Sequence, residues 1–98
     1  MKESDVVRLM LKALNSQERT FAIRTHGSAF QMKGTPDIIG CSHGMFFAIE
    51  AKRSAREHAS DAQLYVLSKM KSAGARVWVS HDPEAQEVVE WIHAISRR

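Results

Sequence analysis

The stretch GTPDIIGCSHGMFFAIEAK, residues 34 to 52, sets two apolar runs on either side of His43 and Gly44. Tight hairpin turns require positive φ at both central positions; Gly takes this freely and His is among the better tolerated alternatives. The stretch therefore reads as a β-hairpin with a two-residue turn, and such a turn fixes the register. Cys41 faces Phe46, Ile39 faces Ala48, and Asp37 faces Glu50. Directly opposed side chains have Cβ atoms only about 4.5 to 5.5 Å apart, so two carboxylates there repel unless a cation lies between them. Because side chains alternate along a strand, Lys52 shares the face of Glu50, roughly 6.6 to 6.8 Å further on. Asp37, Glu50 and Lys52 are thus expected to converge beside buried neighbours, where each charge is costly.

The rest of the chain supplies elements to cover this hairpin. Residues 3 to 15 place Val7, Met10, Leu11 and Leu14 at helical spacing, with Glu3 on the same stripe, four residues before Val7. A carboxylate on a core-facing stripe belongs at a helix end or in a site. Residues 20 to 24 (TFAIR) suit a short strand, and a Gly- and Ser-containing loop leads to Pro36. Ser60 with Gln63 forms an S-x-x-Q capping box that opens a second helix, with Leu64, Leu67, Met70 and Lys71 at helical spacing and Gly74 beyond its end. Residues 77 to 80 (VWVS) read as a strand, and residues 84 to 95 as a helix with Val88, Ile92 and Ile95 inward. The order is α, β, β, β, α, β, α. Such mixing predicts an α/β domain with a three- or four-stranded mixed sheet, its second and third strands central, flanked by helices.

A chain of 98 residues is the size of one domain, and residues 1 to 98 are read as one. The formal charge of +3 suits an anionic partner without the polycation character of a nucleic-acid packaging protein. A single cysteine, Cys41, excludes an internal disulfide, and the five scattered histidines lack zinc-site spacing. The N-terminal MKESDVVRLML is acidic where a secretory signal would be basic and apolar, and no run approaches the roughly 18 apolar residues that span a bilayer. A cytoplasmic, intracellular location with no membrane partner is the expectation.

A carboxylate pair flanked by a lysine suits Mg²⁺ or Mn²⁺ and phosphodiester hydrolysis. Mg²⁺ takes one or two protein carboxylates, waters and phosphate oxygens, and the ammonium adds charge for the transition state. "PD" followed twelve residues later by "EAK" resembles the signature of the PD-(D/E)xK nucleases. With Glu3, the KGTPD loop, the FFAIEAK strand, the Ser60 and Gln63 pair and Gly74 before VWV, the whole chain resembles the VRR-NUC family. The resemblance implies a restriction-endonuclease-like fold, a mixed central sheet in the order αβββαβ plus a C-terminal helix. It implies Asp37 and Glu50 as metal ligands with the backbone carbonyl of Ala51, and Lys52 as the catalytic lysine. Glu3 would be the acid near the metal, direct or through water, and Gln63 the helical glutamine of the active site. The implied activity is a Mg²⁺- or Mn²⁺-dependent endodeoxyribonuclease. A homodimer acting on branched DNA such as four-way (Holliday) junctions is the expectation, with Lys33, Arg53, Arg56 and His26 on DNA phosphates.

Other readings of the same residues stay open. Glu3 suits the N-terminus of any helix, Gln63 is explained by its capping box alone, and a solvated basic face accounts for Arg53, Arg56 and His58 nearly as well. A catalytically silent nucleic-acid-binding module of the same fold is the alternative, as is a nuclease without branch preference. Trp78 and Trp91 are expected in the core or at a subunit interface.

Overall fold

The computed structural model describes residues 1–25 and 32–98. Helix α1 (Glu3–Asn15) leads to β1 (Thr20–Arg24), then to the hairpin of β2 (Ile38–Ser42) and β3 (Met45–Ala51). Helix α2 (Asp61–Ser72), strand β4 (Arg76–Ser80) and helix α3 (Gln86–Ile95) complete the order. The four strands form one sheet in the order β1-β2-β3-β4, the first two pairings antiparallel and β3-β4 parallel. This is the expected mixed sheet with β2 and β3 central. Among the described residues no helix is long and apolar enough to cross a membrane.

The hairpin has the register its turn dictates. His43 and Gly44 sit at φ of 51° and 79°, and Cys41 faces Phe46 while Ile39 faces Ala48. Gly40 faces Phe47, whose ring occupies the space a Cβ would need; that Cβ would stand 2.5 Å from a ring carbon. The hydroxyl of fully buried Ser42 is bonded to Thr20 across the strands (2.7 Å) and to His43 Nδ1 (3.0 Å).

Alternation divides the sheet into two faces. Ile38, Phe47, Ile49 and Ala51 point to one, where Val6, Val7, Met10 and Leu14 of α1 and Val88 and Ile92 of α3 complete the core. Burying each such side chain is worth about 1.5 to 3 kcal/mol, which is what holds these amphipathic helices on the sheet. Phe47, Trp78 and Trp91 meet edge to face with centroids 5.3 to 6.5 Å apart, so both tryptophans belong to the core side. Ala48 and Glu50 point to the other face, beneath α2, which buries Val66 and Leu67.

One helix face and two boundaries differ from the sequence reading. On α2, Val66 and Leu67 are buried while Leu64 and Lys71 are exposed. Gln63 points inward to Glu50, so the inward stripe runs 63, 66, 67, 70, the i, i+3, i+4, i+7 positions of that rotation. Helix α3 starts at Gln86, not at residue 84, because Asp82 accepts from the backbone N–H of both Glu84 (3.0 Å) and Gln86 (2.9 Å) and Ala85 is left-handed (φ 50°). Strand β4 gains Arg76, whose guanidinium lies over Trp78 at 5.6 Å.

Gly34 holds the segment before β2 against α2. It has φ of 89°, and a Cβ there would meet the carbonyl oxygen of Ala62 at 2.4 Å. Gly34→Ala is therefore expected to lower stability by about 2 to 3 kcal/mol, combining strain with loss of the close approach. Gly44→Ala is the control: it shares the positive φ but a Cβ meets nothing within 4 Å, so its cost should be about 1 kcal/mol. Urea unfolding of both variants separates the two effects.

Candidate active site

The carboxylates of Glu3, Asp37 and Glu50 converge, with one oxygen of each lying within 4.8 Å of the others. Three elements bring them together. Glu3 is the first residue of α1, Asp37 immediately precedes β2, and Glu50 lies near the end of β3. The expected opposition of Asp37 and Glu50 is realised one step beyond the ladder, with no bulge between β2 and β3.

Pro36 shapes this end of the sheet. One further step in the register would set it opposite Ala51, and proline has no N–H to offer that residue's carbonyl. The N–H of Ala51 donates to Asp37 Oδ2 instead, at 2.9 Å. The proline thus ends the ladder and lets the aspartate bend back onto β3.

Glu50 is 1% exposed, the most buried charged side chain among the described residues. Its Oε2 accepts from Gln63 Nε2 (2.5 Å) and from Lys52 Nζ (3.2 Å), whereas the buried Oε1 has no partner among the described residues. A buried carboxylate oxygen without a donor costs free energy, so an oxygen left this way beside two further carboxylates fits a cation ligand. An all-oxygen donor set suits a hard divalent ion such as Mg²⁺ or Mn²⁺.

Gln63 joins the capping box to the site. Its backbone N–H donates to Ser60 Oγ (3.2 Å), and its side-chain oxygen accepts from Ser60 N (2.8 Å) and from Lys52 Nζ (3.2 Å). The same side chain that starts α2 therefore orients both Glu50 and Lys52, so the structural and site readings of Gln63 hold together.

Burial, and then the charge of Asp37, raise Glu50 from its ordinary value near 4.5 to about 7, against the opposing pull of Lys52. Burial also raises Glu3, with Asp37 and Glu57 adding to the rise. The sign for stability follows. Between about pH 4.5 and 7 the folded chain holds a proton on Glu50 that the unfolded chain has released, so stability falls as pH rises through that window. The loss is on the order of 3 kcal/mol at most. Without metal, melting temperature is expected to fall from pH 5 to pH 7.5, and millimolar Mn²⁺ at pH 7.5 should restore it, because an ion that binds only the folded state stabilises it.

Of the residues expected on DNA phosphates, Arg53 is close enough to Glu3 to act on its charge. Arg53 is exposed and paired with Glu57, while Arg56 is exposed in the same turn. Lys33 is exposed in the turn before Gly34, and His26 lies outside the described residues. Glu57 was not singled out from sequence, yet it is close enough to raise Glu3; its one signal is the i, i+4 spacing from Arg53, which reads as an ordinary surface pair.

No family model matches the sequence, and no curated protein does. Solved structures do match. A "VRR_NUC domain protein" superposes with a TM-score of 0.76 at 16% identity, over 94% of this chain and 88% of its own. The fold is that of a VRR-NUC domain. A second structure, described as a VRR_NUC domain, gives the same TM-score at 17% identity over 92% and 96% of the two chains. At 25% identity and a TM-score of 0.50, a Holliday junction resolvase, Hjc, from Archaeoglobus fulgidus matches 79% of this chain and 61% of its own. Within the VRR-NUC fold, the restriction-endonuclease-like arrangement anticipated from PD…EAK is present, with its acids and lysine at the end of the central strands.

Proposed function

We propose that the chain is a Mg²⁺- or Mn²⁺-dependent endodeoxyribonuclease acting as a homodimer on branched DNA such as four-way junctions. One observation carries the reading: three carboxylates from three separate elements converge, one buried oxygen of Glu50 has no partner among the described residues, and the Lys52 ammonium lies alongside. The VRR-NUC fold and the likeness to a Holliday junction resolvase support the nucleic-acid substrate and the branched preference.

Glu50 Oε1, Asp37 and Glu3 would hold the metal, with the Ala51 carbonyl beside them. When bound, the cation supplies Lewis acidity toward a phosphodiester and acidifies water. The chain's own residues do the rest. Lys52, held by Glu50 and Gln63, presents a fixed positive charge where a scissile phosphate gathers negative charge. Gln63 keeps the lysine and the glutamate in one arrangement, so neither must reorganise during the reaction. Arg53, Arg56 and Lys33 offer phosphate contacts on the approach, and Arg53 would exchange Glu57 for a phosphate.

The test is cleavage of labelled four-way, flapped and linear duplex DNA in Mg²⁺, Mn²⁺ and EDTA, with Asp37→Ala alongside. Metal-dependent cleavage favouring the four-way junction, absent in Asp37→Ala, is expected. Cleavage in EDTA, or full activity in the variant, overturns the site; equal cleavage of all three substrates overturns the branch preference.

A further inference from the structure

On the face of the sheet that carries Asp37 and Glu50, two further rows of side chains continue away from the site. Ile23, Ile39 and Ala48 form the first row and Phe21, Cys41 and Phe46 the second, each running across β1, β2 and β3. Helix α2 covers Ala48 completely but leaves Phe21 70%, Ile23 46% and Phe46 42% exposed, with Cys41 also exposed. We infer that this β1-β2-β3 face is where a second copy of the chain docks, face on, beside the two sites. The inference rests on the homodimer reading above and adds the surface that makes the dimer.

Three observations single out a second copy. Neither row contains a charged side chain, so the surface offers nothing to a phosphate backbone, whose binding is dominated by Lys and Arg. At a two-fold contact residues near the axis meet their own copies, and an uncharged patch meets itself without repulsion. The exposed parts of Phe21, Ile23, Ile39, Cys41 and Phe46 come to on the order of 400 Å². That equals a large patch for a monomer and about half of one partner's share of a standard interface, the usual extent of an apolar centre within a polar rim.

The edge of β1 is closed to a competing mode, pairing of two sheets through that strand. Thr25 N bonds to Asp37 O and His43 N to Arg19 O, so odd-numbered residues of this strand turn toward β2 and Ala22 turns outward. The outward N–H and C=O of Ala22 are both taken by the side chain of Asn15, at 2.8 and 3.0 Å. Asn15 occupies the place a partner strand would need, which protects the edge as natural sheets do. Cys41 lies four residues along β2 from Asp37, about 13 Å by strand rise, so docking there fixes both carboxylate clusters close to the shared axis.

Sedimentation and the reactivity of Cys41, the sole cysteine, test this without DNA or metal. The native chain should sediment at twice its 11.0 kDa, and maleimide labelling of Cys41 should slow at least tenfold between dilute and concentrated protein. Phe21→Asp, at a position mostly in solvent, should sediment as a monomer with rapid, concentration-independent labelling and an unchanged circular dichroism spectrum. A dimer in which Cys41 stays fully reactive, or a Phe21→Asp dimer, overturns the face and leaves the homodimer standing. A native monomer at every concentration overturns both, while metal-dependent cleavage would remain a separate result.

Discussion

Lys52→Met should lower the rate of DNA cleavage by about 10²- to 10³-fold at a fixed, sub-saturating Mn²⁺ concentration, chiefly the cost of removing one preorganised charge from a site where negative charge develops. The fold should survive, since the Lys52 side chain is not part of the apolar core and its partners, Glu50 and Gln63, also bond each other. One indirect effect must be separated from the direct one. Lys52 holds the Glu50 pKa down, so its loss pushes Glu50 higher and lets protons compete better with the metal at neutral pH. Part of the lost activity should therefore return as pH rises from 7 toward 9 and Glu50 ionises. The part that does not return measures what the ammonium does for the substrate. Complete recovery at pH 9 would mean that Lys52 acts only through Glu50, and would make it a positioning residue.

Glu50→Gln should have the opposite effect on stability and a larger effect on function. At pH 8 the metal-free native chain carries an ionised, 1% exposed carboxylate beside Asp37, with one oxygen lacking a donor. A glutamine keeps the shape, can accept from Gln63 through its carbonyl and can turn its amide toward Asp37. The metal-free variant should be more stable than the native chain by about 1 to 3 kcal/mol, a rise of roughly 5 to 15 °C in melting temperature for a domain of this size. The advantage should shrink toward pH 5, where native Glu50 is protonated. Mn²⁺ should no longer raise the melting temperature, and cleavage should be lost. A variant destabilised at pH 8 would mean that the Lys52 pair outweighs the cost of burying Glu50.

The parts of this site that were legible in the sequence are those set by local chemistry. His43 and Gly44 allow one kind of turn; the turn fixes the hairpin register, and the register brings Asp37 to Glu50. The Ser60 and Gln63 box was legible for the same reason, as four consecutive residues decide it. What the spacing could not convey was rotation about the axis of α2. Leu64 looks inward by its hydrophobicity, but the bonds from Gln63 to Glu50 and Lys52 turn it outward, and those bonds join residues on different elements. The role of Asn15 is hidden likewise: an asparagine at a helix end reads as a terminator, and only the sheet shows that it closes the edge of β1. The proximity of Glu57 to Glu3 depends on the path of residues 53 to 59, which have no period to read.

Crystals of the native chain soaked in Mn²⁺, with anomalous scattering measured above the manganese absorption edge, test the metal centre most directly. The expected result is a peak bounded by Glu3, Asp37 and Glu50, within about 2.0 to 2.3 Å of Glu50 Oε1. A protein that binds Mn²⁺ elsewhere, or shows no peak at these carboxylates at millimolar Mn²⁺, would contradict it.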